Sequence, residues 1–175
     1  MQTTDRSLLK LVEYVHQIPY GRPSVRTIDA MLEEGKGTCS LKHQYLAREM
    51  SRHFPDTCPR IVHRVYRVDR ERARSLFGER AASVVPEEGL VDVHCYLRAH
   101  VGGSVVVLDV TFPGPPWDGR SSMPLMCGDG RDVLSFGEPS TEKRRLESAY
   151  CEPALREPFI AALAGLSLTE SAPLH

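Results

Sequence analysis

The chain has 175 residues, 41% hydrophobic and 26% charged, with a formal net charge of -1. That is the profile of one soluble globular domain with a single core, and it argues against nucleic-acid steering or a charged membrane-surface patch. No apolar run reaches the roughly 18–20 residues that span a bilayer, and MQTTDRSLLK lacks the basic-then-apolar order of an export signal, so the expected compartment is the cytoplasm, with no membrane or nucleic-acid partner. The five cysteines (Cys39, Cys58, Cys95, Cys127, Cys151) are odd in number, irregularly spaced and free of any C-x-x-C, which points to reduced thiols and gives no support for a disulfide framework or a zinc ribbon.

Taken in chain order, Leu8, Leu9, Leu11, Val12 and Val15 form an amphipathic helix that starts near Thr4 or Asp5 and stops before Pro19. IPYGRPS is a turn. Ser24 then reads as an N-cap for a short helix, Val25 to Glu34, stopped by Gly35. The next helix runs from about Thr38 to about Phe54 with Leu41, Tyr45, Leu46, Met50 and Phe54 on its apolar face. Arg60–Val68 is rich in β-branched residues and reads as a strand; Asp69–Ser83 reads as an exposed helix. Leu90–Val101 and Ser104–Phe112 are two strands joined by Gly102-Gly103, a strong hairpin signal.

The segment Pro113–Asp132 carries too much proline and glycine for regular structure and reads as a long loop, of the kind that is often functional or else mobile. Two helices, over STEKRRLESAY and EPALREPFIAALAGL, close a single domain spanning 1–166, and 167–175 reads as a frayed tail. Helices, then an antiparallel sheet, then helices make an α+β architecture. No glycine-rich phosphate loop follows a strand, so nothing calls for a nucleotide or another cofactor.

The hairpin can be read for side-chain parity. A two-residue turn pairs Val101 with Ser104 and places Arg98 opposite Val107, Tyr96 opposite Asp109 and His94 opposite Thr111. His94, Tyr96, Arg98, His100, Val105, Val107, Asp109 and Thr111 then share one face. The other face, with Cys95, Leu97, Ala99, Val106, Leu108 and Val110, is apolar and belongs to the core. His94 and Asp109 become diagonal neighbours, within reach of a hydrogen bond, whereas His100 lies about 13 Å away along the strand. A three-residue loop would reverse the parity. Each of these residues is commonplace alone: cysteines at helix starts are mostly structural and strand histidines mostly inert. A helix-N-terminal Cys39 combined with His94 and Asp109 is a triad-like set.

GTCSLKHQYLA and VHCYLRAHVGGSVVVLDVTF, in that order, resemble the transglutaminase-like superfamily of cysteine enzymes. In that pattern a glycine shortly precedes a cysteine that opens a helix, a histidine opens a strand, and an aspartate follows about fifteen residues later in a D-x-T context, here DVT. The resemblance covers Gly35 to Phe112. It implies a papain-like core with the nucleophile at a helix start packed on an antiparallel sheet. It also implies a Cys39–His94–Asp109 triad that forms a thioester and passes the acyl group to water or an amine, acting on a peptide, protein or small-molecule amide.

Two departures stand out: Tyr96 occupies the place two after the histidine where tryptophan is common, and no motif marks an upstream oxyanion donor. Gln17 and Tyr20 are candidates for that donor by position. Arg22, Lys42, Tyr96 and Trp117 are candidates for substrate contact, Trp117 through the long loop. Two rival readings stay open: a binding module that keeps the fold without the chemistry, and a zinc site built from Cys39, His43, His63 and His94. The oligomeric state has no signature in the sequence.

Overall fold

The computed structural model describes residues 3–168. The described residues form an α+β fold of seven α-helices and one four-stranded antiparallel sheet. In chain order the elements are α1 (Thr3–Gln17), α2 (Ile28–Glu34), α3 (Cys39–His53), β1 (Arg60–Val68), α4 (Arg70–Phe77), α5 (Glu79–Ala82), β2 (Leu90–Val101), β3 (Ser104–Leu108), β4 (Gly130–Leu134), α6 (Pro139–Tyr150) and α7 (Pro153–Ala162). A short 3-10 turn, Pro55–Thr57, follows α3. The strands lie in the order β3-β2-β1-β4. No helix among the described residues is long and apolar enough to cross a membrane.

The hairpin forms as its sequence requires. Val101 pairs with Ser104 and Arg98 with Val107. Gly102 and Gly103 take φ of 59° and 85°, the two positive values that a tight turn matched to strand twist demands. Cys95, Leu97, Ala99, Val106 and Leu108 are buried with Ile61 against Val12 and Val15 of α1 and Leu46 and Met50 of α3. A second apolar cluster joins Val68, Leu90, Phe77, Phe112 and Phe159, so the far end of the sheet packs beneath α4, α5 and α7. Burial is continuous from Asp92 to Leu97, on both faces of β2, before the strand emerges into alternation.

Four expectations need correction. β3 ends at Leu108, not Phe112: Asp109 Oδ1 accepts from the Thr111 amide at 3.2 Å and the Thr111 hydroxyl at 2.6 Å, and this local turn replaces the sheet ladder. Thr27, not Ser24, caps α2, its hydroxyl accepting from the Ala30 amide at 3.2 Å, while the Ser24 amide and hydroxyl both donate to Glu34. The segment Asp69–Ser83 breaks at Gly78 into two helices and buries Ala73, Phe77, Ala81 and Ala82. The long loop stops short of Asp132, because Gly130–Leu134 is strand β4, paired with Val62–Tyr66 of β1. Of the expected tail, the Leu168 amide donates to the Pro113 carbonyl at 2.7 Å, and 169–175 lies outside the described residues.

Candidate active site

Cys39 is the first residue of α3, with Thr38 as N-cap, so its own N–H has no acceptor within the helix. The approach to that position is tightly packed. Gly37 forms an isolated bridge with Tyr20, its N–H donates to the Pro19 carbonyl at 3.0 Å, and a side chain there would drive into Met31 at 2.5 Å. The glycine therefore serves the packing of the helix start. Gly35, with φ of 64°, is the C-cap of α2.

Cys39, His94 and Asp109 come together. His94 Nε2 lies 2.7 Å from Asp109 Oδ2, which leaves Nδ1 as the ring nitrogen available to Cys39, whose thiol pKa His94 helps to lower. The parity of the two-residue turn is what brings His94 and Asp109 to one side. Asp109 is fixed on every side: beyond Thr111 and His94, Oδ2 accepts from the Met126 amide at 2.8 Å, supplied by the long loop. Burial alone would raise the Asp109 pKa, but the His94 charge and hydrogen bond hold it below the ordinary carboxylate range. Burial works against the His94 imidazolium as well; the Asp109 charge overcomes it and raises the His94 pKa well above its usual value.

Lys143 of α6 is a fourth member that the sequence did not announce. It is buried, and its Nζ lies 3.2 Å from Cys39 Sγ and 2.9 Å from Ser40 Oγ. Burial pushes the Cys39 thiol up, but the Lys143 ammonium, followed by the hydrogen bond and charge of His94, outweighs it and brings the pKa down to about 6. Lys143 would lose its proton more easily through burial, yet the Cys39 charge keeps its pKa raised. In the sequence Lys143 and Glu147 look like an ordinary solvated i,i+4 pair on a polar helix.

The start of α6 is anchored where Lys143 needs it. Glu138 caps it through the Ser140 and Thr141 amides, Pro139 occupies its first turn, and Ser140 exchanges hydrogen bonds with Gln44 of α3.

Behind the thiol, Asp92 accepts from Arg156 Nε at 2.5 Å and from the Tyr66 hydroxyl at 3.2 Å, while Arg156 also reaches Glu147 at 2.8 Å. Asp92 could have been found: it precedes His94 by two and shares its face. Cys39, His94, Asp92 and Lys143 all line a cleft enclosing about 940 Å³ of non-atom space, open solvent at its mouth included.

Tyr20 lines the cleft beside Cys39, and Arg22 stands in its wall. The Arg22 guanidinium is committed to Glu157 by two bonds of 2.5 and 3.0 Å. The other candidates lie elsewhere. Exposed Gln17 donates to the Gly114 carbonyl at 3.0 Å, outside the cleft. Lys42 is completely buried and donates to three carbonyls, Ile18 at 2.6 Å, Thr111 at 3.0 Å and His16 at 3.2 Å, so all three of its protons serve the fold; burial lowers its pKa to about 7. Tyr96 stacks near His94, with ring centroids 6.5 Å apart, but its hydroxyl donates to Asp132 at 2.9 Å in a network with Arg64 and Arg98. Trp117 packs in the first core cluster, its indole N–H donating to the Ser121 carbonyl at 2.6 Å. The loop meets the cleft through Met126 instead.

His43 is a positioning residue. Its Nε2 accepts from the Val110 amide at 3.0 Å, so the ring proton sits on Nδ1, which donates to the Cys39 carbonyl at 2.6 Å. The ring is neutral, with burial lowering its pKa to about 4, and its 3.8 Å approach to Asp109 is no ion pair. With both nitrogens engaged, His43 has none for a metal. His63, buried on β1 without a hydrogen-bond partner, pairs across the sheet with Cys95, and no group of three or more metal-type ligands converges among the described residues. The donor geometry therefore does not favour zinc. Comparison with protein-family models, with curated proteins and with solved structures yields no match for this chain.

Proposed function

We propose that this protein is a cysteine acyl-transfer enzyme of papain-like, transglutaminase-like design, acting on an amide or related acyl compound through a Cys39 thioester. The observation that carries the reading is the convergence of a thiol with a pKa of about 6, a histidine that helps to lower that pKa, and a buried aspartate 2.7 Å from that histidine, at the wall of a cleft.

The Cys39 thiolate attacks the acyl carbon, and the carbonyl π pair moves onto oxygen. Two groups suit that developing charge: the Cys39 N–H at the positive end of α3, and the Lys143 ammonium 3.2 Å from the sulfur. The oxyanion collapses, the bond to the leaving group breaks, and the leaving amine takes the His94 proton. Asp109 holds the ring so that Nδ1 faces the reaction. Water or an amine then attacks the thioester, gives its proton to His94, and the C–S bond breaks to return the thiolate.

The test is intact-mass detection of an acyl adduct after exposure to an activated ester. The native protein is expected to gain one acyl group, and Cys39→Ala none. Absence of the adduct in the native protein overturns the reading and leaves a non-catalytic binding module.

A further inference from the structure

The charged groups in the floor of the cleft are ion-paired with one another, and two cations in its exposed lining are not. The carboxylates in the wall, Asp92 and Glu147, are both held by Arg156. Lys143 faces the Cys39 sulfur, and His94 faces Asp109. Arg22 is neutralised by Glu157. Two cations remain in the lining, Arg26 from the turn before α2 and Arg144 from α6. Both are exposed, and neither is ion-paired among the described residues. Glu157 feels the Arg26 charge, but its oxygens are taken by Arg22. Arg144 has only the Thr141 hydroxyl, at 3.2 Å. The lining also carries an apolar group of buried side chains from the second core cluster, Phe77, Phe112, Ile160 and Leu163.

We propose that the cleft takes an acyl donor bearing an anionic group, a carboxylate or a phosphate, separated by an apolar arm from the reacting carbonyl, with Arg26 and Arg144 holding the anion. The proposal rests on the reading of Cys39 as the acyl nucleophile. A guanidinium offers paired N–H donors that match both oxyanions, and two exposed guanidiniums from separate elements stand in one cleft lining without an ion-pair partner among the described residues. The same charge disfavours a cationic acyl donor.

The test uses alkylating probes, so it does not depend on turnover. N-iodoacetyl-β-alanine carries a carboxylate at the end of a short arm. Its primary amide is the neutral control, and N-iodoacetyl-2-aminoethylphosphonate is the phosphate-like arm. Rates of Cys39 modification are read by peptide mass spectrometry, as ratios within one protein. An anionic probe is expected to outpace the amide by about tenfold, the scale of a single charge-assisted hydrogen bond. That ratio is expected to collapse toward the value for Cys58 in the R26Q/R144Q double variant, its fold checked by thermal melting. Preference in the carboxylate arm alone assigns a carboxylate-bearing donor, and in the phosphonate arm alone a phosphate-bearing one. A ratio near one in the native protein overturns the proposal. So does a preference that survives in R26Q/R144Q, which would locate the anion on Lys143. Modification of Cys39 by the neutral amide no faster than Cys58 would instead sink the underlying nucleophile reading.

Discussion

At the scale of single residues, the chemistry of the cleft turns on a thiol whose burial and whose neighbours pull in opposite directions. Because the Cys39 pKa is lowered to about 6, the reactive thiolate fraction rises as pH rises through that value. Alkylation by iodoacetamide, followed by peptide mass spectrometry across pH, is expected to reach half its plateau near pH 6, against about 8.5 for an ordinary cysteine. Lys143→Met removes the nearest cation and is expected to move that midpoint up by about one unit or more, and His94→Ala to slow labelling at pH 7 by up to about thirtyfold, the ratio of the two thiolate fractions. Lys42, three residues along the same helix, does something different. Lys42→Met leaves the Ile18, Thr111 and His16 carbonyls without their donor, and a loss of about 3 kcal/mol or more is expected in urea unfolding. In the sequence both lysines look like members of polar helix rims. What separates them from such residues is burial, which a local pattern does not encode.

At the scale of elements, the site depends on how one helix start meets one strand end. His43 makes that link, joining the Cys39 carbonyl to the Val110 amide. His43→Phe keeps the volume of the ring but leaves the amide unpaired beside Asp109. The expected result is a loss of about 1–3 kcal/mol in thermal or urea unfolding, with slower Cys39 labelling as the helix start loses its tie to the Asp109 segment. The hairpin was legible down to its register, because the Gly102-Gly103 turn and strict alternation fix which side chains share a face. The end of β3 was not. Asp109 and Thr111 look strand-like in composition, yet the carboxylate bonds its own backbone and ends the ladder. Strand β4 has no clear sequence signal, because five residues in a glycine-rich stretch carry too little periodicity, and its pairing with β1 spans a long stretch of chain.

At the scale of the whole molecule, the His94–Asp109 pair couples stability to pH from both sides. The folded Asp109 pKa is depressed, so its contribution is full above about 4 and is lost as pH falls through the folded value. The folded His94 pKa is raised, so its contribution is full below about 6.5 and is lost as pH rises through the folded value. Melting temperature against pH is expected to fall on both flanks, and Asp109→Asn to flatten both arms. The sequence by itself determined the α+β order, the helix that opens at Cys39, the hairpin register and the partnership of His94 with Asp109. Each of these follows from short-range periodicity, turn chemistry and capping. Tertiary structure alone decided that α6 swings Lys143 onto the Cys39 sulfur, that Trp117 goes to the core while Met126 reaches Asp109, and that Arg26 and Arg144 share one cleft lining. These placements join residues far apart in the chain, and they are set by which apolar faces bury against one another, not by any signal in the residues themselves.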